Sequence, residues 1–237
     1  MTDLKFRSDV TVELVQSMGG DDAVVRSARV STGGSAVNPS VGLGEREKGL
    51  INYLMRDRHG SPFEHNAFTF YIEAPIFVFR EFMRHRIASY NEESGRYKEL
   101  EPVFYVPGDD RKIIQTGKPG AYVFVEGEYE QVKQVQALTR LSSERSYELY
   151  QKMLENGVAR EVARGVLPVN IYSSMYVTMN ARSLMNFLSL RTMREGTHFP
   201  SFPQREIEMV AELMECLWAE KMPVTYETFN KNGRVAP

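Results

Sequence analysis

The stretch Ala67-Phe68-Thr69-Phe70-Tyr71-Ile72-Glu73-Ala74-Pro75 sets the architecture, because it alternates for eight residues and then meets a proline. Phe68, Phe70 and Ile72 fall on one face and Thr69, Tyr71 and Glu73 on the other, the period-two pattern of a half-buried strand. Pro75 stands at the start of the next predicted helix, where its missing N–H costs nothing. That helix leads straight into Arg84-His85-Arg86-Ile87-Ala88-Ser89-Tyr90-Asn91-Glu92-Glu93-Ser94-Gly95-Arg96. Guanidiniums, an imidazole, serine hydroxyls, an amide and two carboxylates are packed here where a surface helix would carry interchangeable lysines and glutamates. Such density suits an anion-binding site, since arginine's planar fork holds phosphate or a ring carbonyl by two parallel hydrogen bonds.

Upstream, Thr11 to Met18 reads as a strand, and Asp21 and Asp22 cap a short helix running to about Val30. Ser31 to Gly44 is rich in Gly, Ser and Asn and is read as a loop, followed by a helix from Glu45 to about Arg58. Downstream, Leu100 to Val106 reads as a strand and Pro107 to Pro119 as a loop. A long helix spans about Gly127 to Glu155 and ends at Asn156-Gly157. A short helix, Arg160 to Val166, stops at Pro168, and Asn170 to Thr178 resumes strand character. Helices Ala181 to Arg191 and Gln204 to Lys221 close the chain. Strands among long helices, without regular βαβ alternation, give an α+β class. The expectation is one domain over 1–237, with a mainly antiparallel sheet flanked by helices, one of them long.

Composition bounds what the site serves. The chain has 237 residues, 42% hydrophobic and 25% charged, enough for a full core in one domain. A net charge of -2 argues against a general electrostatic grip on nucleic acid. No apolar run approaches bilayer length, and Met1-Thr2-Asp3-Leu4-Lys5-Phe6 lacks a signal-peptide core, so a cytoplasmic protein without a membrane partner is expected. The single cysteine, Cys216, and four dispersed histidines argue against a metal site. Gly42-Leu43-Gly44 has Glu47 where a dinucleotide fingerprint needs a third glycine, and Leu50 follows Gly49 where a P-loop needs lysine.

If Pro75 to His85 is helical, Arg80 and Arg84 lie one turn apart on one face. Consecutive Arg84, His85 and Arg86 would then fan across roughly 200° at ~3.6 residues per turn, too wide for one small ligand. Either the helix ends there and the chain splays, or these residues face two ligands or two subunits.

The spacing Arg-His-Arg-x-x-Ser-x-Asn-x-x-Ser-x-Arg, met here by Arg84, His85, Arg86, Ser89, Asn91, Ser94 and Arg96, resembles the signature of the flavin-dependent thymidylate synthases. Ser61-Pro62-Phe63-Glu64-His65, Arg160-Glu161-Val162-Ala163-Arg164 and Asn180-Ala181-Arg182-Ser183-Leu184-Met185-Asn186-Phe187 are similar to further segments of that family, in the same order. The resemblance implies reductive methylation of dUMP to dTMP. Carbon would come from methylenetetrahydrofolate, and hydride from FAD that NADPH reduces. It also implies a homotetramer whose active sites form where subunits meet. Carried over residue by residue, Ser61, Arg84, His85, Arg86, Glu92, Asn180, Arg182 and Asn186 would contact flavin. Glu81, Arg84, Glu93, Ser94, Gly95, Arg96 and Arg164 would meet the nucleotide, and Arg191 would activate the uracil ring.

Several assignments have a plainer alternative. Arg191 could be the cationic end of its helix, Asn180 an N-cap, Arg164 a helix end, and Ser61 with Glu64 a capping box. Asn186, inside an apolar helix, has no such explanation. Cys216 lies between Met214 and Trp218 in an amphipathic helix and reads as buried filler, so no enzyme thiolate is expected in the mechanism. The segment Thr192 to Pro203 is longer than the family's usual link, and His198 within it is either a solvent-facing loop residue or a flavin contact. A nucleotide- or RNA-binding module would use Arg84, Arg86 and Arg96 with Tyr90 and Tyr97, but leaves Asn180 to Asn186 unexplained. A flavoprotein reductase of different activity is the third reading.

Overall fold

A computed structural model describes residues 3–33, 43–119 and 121–237. Most of the predicted loop Ser31–Gly44 therefore lies outside the described residues. The class is α+β, with an antiparallel four-stranded sheet in the order β2-β3-β8-β4, where β2 is Thr11–Met18, β3 Ala67–Pro75, β4 Ser89–Glu92 and β8 Tyr172–Met179. In β3 the expected alternation is present: Phe68, Phe70 and Ile72 are fully buried while Thr69, Tyr71 and Glu73 are half-buried. The chain divides into two compact units, described in turn.

The first unit comprises Met1–Val10, Glu73–Arg84 and Glu92–Met175. Strand β1 (Lys5–Arg7) pairs in parallel with β5 (Val103–Tyr105), which is shorter than the predicted Leu100–Val106. Helix α4 (Tyr129–Glu155) starts two residues after the predicted Gly127, with Gln131 accepting from the N–H of the N-cap Glu128. Phe104, Tyr147, Tyr150, Ala163 and Ile171 form the core beneath it. The predicted loop Pro107–Pro119 is corrected: β6 (Ile114–Lys118) pairs antiparallel with β7 (Ala121–Val125) in a separate hairpin. Its sequence, Ile-Gln-Thr-Gly-Lys, buries too little apolar surface to carry a strand signal. The Arg160–Val166 helix is α-helical only over α5 (Arg160–Ala163) and tightens to 3₁₀ at Arg164–Val166.

The second unit comprises Thr11–Ile72, His85–Asn91 and Tyr176–Pro237. It holds α1 (Asp21–Arg29), α2 (Glu45–Arg56), α6 (Ala181–Arg191), α7 (Arg205–Lys221) and α8 (Pro223–Lys231). Helix α2 ends before the predicted Arg58, which takes a left-handed φ of 61°. The expected capping of α1 by its own aspartates is also corrected, because Gly20 is the N-cap and makes no side-chain cap. Asp21, 7% exposed, turns its carboxylate to α8, accepting from Val224 N at 2.9 Å, Thr225 N at 2.9 Å and Thr225 Oγ1 at 2.5 Å. Burial raises the Asp21 carboxyl above its ordinary range, while these bonds pull it back. The first turn of α8 opens on Met222-Pro223 with no cap of its own, so a carboxylate from the far end of the unit does the capping. The sequence reading makes Gln204–Lys221 the last element, and α8 beyond it is an addition.

Cys216 is exposed, correcting the buried reading. Val210, Met214 and Trp218 turn inward on α7, all 0% exposed, and a residue two positions after Met214 lies on the opposite face.

Candidate active site

The signature stretch departs from the helical fan. Helix α3 (Ile76–Phe82) stops before Arg84, whose N–H bonds Glu81 O at 3.2 Å in a closing turn. His85 and Arg86 follow in irregular backbone, and the chain straightens at Ser89 into β4. Tyr90 Oη donates to the His85 carbonyl at 2.7 Å. Of the two options the sequence left open, the helix ends and the chain splays.

In the second unit, His85 meets Arg191, the last residue of α6. Arg191 Nε donates to His85 Nε2 at 3.0 Å, and the imidazole stands edge-on to Phe187 with ring centroids 4.9 Å apart. A ring nitrogen that accepts from a guanidinium carries no proton, so the Nδ1–H tautomer is fixed by this contact. Burial, and then the neighbouring Arg191 charge, push the His85 pKa down to about 4. His85 is thus a neutral prop for a fixed cation.

The N-terminus of α6 is assembled from two motif segments. Asn180 is the N-cap, accepting from Ser183 N at 2.9 Å, and the buried Asn66 accepts from Ala181 N at 2.7 Å. Arg182 donates Nη1 to Glu64 at 2.5 Å and Nε to the Pro237 carbonyl at 2.5 Å. A Cβ on Gly60 would lie 2.5 Å from Arg182 Cζ, so the glycine is what lets the guanidinium sit there. The Ser61–Glu64 capping box does not form: Gly60 is the N-cap of that 3₁₀ turn, and Glu64 is spent on Arg182. Ser61 is exposed. Asn186 is exposed one turn beyond Arg182, its amide donating to the Arg182 carbonyl at 3.2 Å. His198 is exposed and stands edge-on to Phe199 at 4.5 Å.

In the first unit the remaining signature residues gather with the Arg160–Arg164 segment. Arg96 Nε donates to Glu161 at 2.9 Å, and a Cβ on the buried Gly95 would lie 3.4 Å from Arg164 Cδ. Ser94 Oγ accepts from Arg96 N at 3.3 Å. Glu93 pairs with Lys98 at 2.8 Å and accepts from Ser174 Oγ at 3.2 Å. Glu92 is held above the usual carboxylate range, first by partial desolvation and then by the Glu93 charge, with Arg164 opposing. Glu81, Arg84, Glu93, Ser94, Gly95, Arg96 and Arg164, the residues assigned to the nucleotide, all belong to this unit. Ser61, His85, Arg86, Asn180, Arg182, Asn186 and Arg191 belong to the other. Glu64, Glu161 and Phe187 are the site partners that sequence reasoning did not assign. Glu161 meets an arginine 65 residues away and Glu64 one 118 residues away, pairings with no local signal.

The model of the thymidylate synthase complementing protein family matches residues 13–224. A flavin-dependent thymidylate synthase of Streptomyces avermitilis is 64% identical over 239 residues, covering 99% of this chain and 97% of the relative. Another, from Tropheryma whipplei, is 59% identical over 232 residues, covering 98% and 97%. A crystal structure of PolB, a UMP/dUMP methylase from Streptomyces cacaoi bound with 5-Br dUMP, is 54% identical with a TM-score of 0.93, covering 99% of this chain and 100% of that one. The class is therefore an α+β enzyme. Within it, this chain belongs to the flavin-dependent thymidylate synthase family.

Proposed function

We propose that this protein methylates dUMP to dTMP, with methylenetetrahydrofolate as carbon donor, FAD as cofactor and NADPH as reductant. The single observation that carries the reading is Arg191, a cation held in place by a neutral histidine of the signature. Chain-wide identity to named flavin-dependent thymidylate synthases, and a neighbour solved with 5-Br dUMP, support the substrate class. The same near-complete coverage supports treating 1–237 as one functional domain.

The residues present fit a flavin dinucleotide. Arg84 and Arg86 are exposed, and their side chains make no hydrogen bond or ion pair among the described residues, so each fork is open to an anionic group such as a phosphate. His85, Glu92, Ser61, Asn180, Arg182 and Asn186 complete the flavin group. When bound and reduced by NADPH, the flavin would supply the hydride that completes the methyl group. Arg96 and Arg164 hold the nucleotide's phosphate with Ser94, and buried Gly95 keeps the backbone close. Glu81 and Glu93 accept from its sugar and base donors. Arg191 stabilises negative charge on the uracil ring, which activates the ring carbon without an enzyme thiolate. A guanidinium stays protonated in such a site, and its orientation by His85 is in place before the substrate arrives. No helix among the described residues is long and apolar enough to cross a membrane, and we place the enzyme in the cytoplasm as a homotetramer with active sites at subunit interfaces.

Purified protein should be yellow and form dTMP only when NADPH and methylenetetrahydrofolate are both supplied. Arg191→Ala should abolish methylation while bound flavin remains reducible by NADPH. Colourless protein that gains no flavin on reconstitution would overturn the cofactor assignment, and wild-type turnover in Arg191→Ala would remove the arginine's role.

A further inference from the structure

The residue after Arg191 is anchored far more heavily than a helix end requires. Thr192 is 1% exposed, and its N–H and Oγ1 both donate to Leu188 O, at 3.0 and 2.7 Å. Its carbonyl accepts from Ser201 Oγ at 2.7 Å, and its Oγ1 accepts from Arg234 Nη2 at 2.9 Å. The next N–H, of Met193, goes to Glu208 at 2.9 Å. Every polar atom of Thr192 is thereby committed, so the last turn of α6 has one position.

Arg234 is an unusual residue to find on the other side of that bond. It is 4% exposed, it lies outside any helix or strand, and its φ of 57° is left-handed. A non-glycine residue there costs about 1–3 kcal/mol, which its N–H bond to Phe229 O at 2.9 Å and its side-chain bonds together offset. Nη1 donates to Glu215 at 2.6 Å and to Asn230, and the guanidinium carbon lies 4.9 Å from the Phe229 ring centre. Glu215, 3% exposed, accepts with its second oxygen from Arg194 Nη2 at 3.1 Å. Glu208, Glu212 and Glu215 line one face of α7 and are matched by Arg194, Arg205 and Arg234. Glu208 and Glu215 thus grip the chain on either side of Thr192–Arg194.

We infer that Arg234 is a positioning residue for the reaction: through Thr192 it fixes the end of α6 and so holds the Arg191 guanidinium on His85. The inference rests on the ring-activating role proposed for Arg191. A fixed cation stabilises a developing charge without reorganising, and a misplacement of about 1 Å costs on the order of a hundredfold in rate.

The test uses the full-length, flavin-loaded enzyme. Thr192→Val deletes the hydroxyl at constant shape, Thr192→Ser restores it, and Arg234→Lys keeps the charge beside Glu215 while losing the fork that reaches Thr192. Thr192→Val and Arg234→Lys should lower the kcat for dTMP formation about tenfold to a hundredfold. KM for dUMP and the rate of flavin reduction by NADPH should be unchanged, and Thr192→Ser should recover most of the loss. In ¹⁵N-histidine-labelled enzyme, with His85→Gln assigning the signal, the Nε2 resonance of His85 should move in both impaired variants. That shift reads the Arg191–His85 contact whether or not Arg191 is catalytic, so failure of the catalytic assignment leaves a moved resonance with unchanged turnover. An unmoved resonance in folded Arg234→Lys overturns the positioning role, whatever the rate. Should Thr192→Val fail to fold, Arg234→Lys carries the test alone.

Discussion

Gly60→Ala isolates the packing beneath Arg182. Gly60 has helical dihedrals, φ -75° and ψ -36°, so alanine fits the backbone and by itself should gain about 0.4–1 kcal/mol from the unfolded chain. The new methyl, however, would stand 2.5 Å from Arg182 Cζ and 2.8 Å from the Pro237 carbonyl oxygen, inside any real contact distance. The guanidinium must leave. Its bond to the Pro237 carbonyl is charge-assisted and worth about 1.5–3 kcal/mol, whereas the pair with Glu64, 42% exposed on both sides, adds only about 0.2–1 kcal/mol. The net is a destabilisation of about 1–3 kcal/mol, or roughly 2–4 °C of melting temperature per kcal/mol in a chain of this size. Urea denaturation of Gly60→Ala, Arg182→Ala and the double variant measures it. In the Arg182→Ala background the part of the penalty owed to the guanidinium should vanish, leaving only the contact with the Pro237 oxygen, and FAD affinity should fall alike in all three. Equal penalties at Gly60 in both backgrounds would show that Arg182 is not what occupies the space.

His85 offers a pH test. The folded protein holds its pKa near 4 against an ordinary 6.5, so in that window the unfolded chain binds a proton the folded chain refuses. Stability from this group is complete above 6.5 and lost as pH falls to 4. His85→Gln, which keeps an acceptor for Arg191, should flatten the stability–pH curve between those values in urea titrations, and an unaltered slope would mean the imidazole is solvated. Cys216→Ser should retain full turnover, and in native protein the wild-type thiol should react with a disulfide reagent at the rate of a free cysteine. A thiol that reacts only in denaturant would put it under a partner subunit.

Strand β3 and the long helix α4 were legible in the sequence because their burial is periodic. Phe68, Phe70 and Ile72 alternate in the strand, and Ser143, Tyr147 and Tyr150 recur at helical spacing along one buried face of α4. The signature was legible as a string, since its spaced residues need no fold to be recognised. Its geometry was not. Nothing local announces that α3 ends at Phe82, because no proline or glycine follows it, and the carbonyl of His85 is satisfied by Tyr90 from the next strand. Strands β6 and β7 and helix α8 escaped for a related reason: the hairpin is mostly exposed, and α8 takes its cap from a residue 203 positions upstream. Asn180 was legible as the N-cap it is, because its side chain accepts from Ser183 N three residues on, a purely local bond.

The bond from Asp21 to α8 bears on how the chain is made. Synthesis delivers Asp21 early, and Val224 and Thr225 follow it by 203 and 204 residues, so the second unit cannot close this helix cap until α8 has emerged. The first unit ends at Met175 and has all its segments sooner. Pairing between such distant residues bears the loop-closure cost late and slows folding. During that interval the Asp21 carboxylate lacks the N–H groups it will accept from, and the second unit is without the link between its first helix and its last.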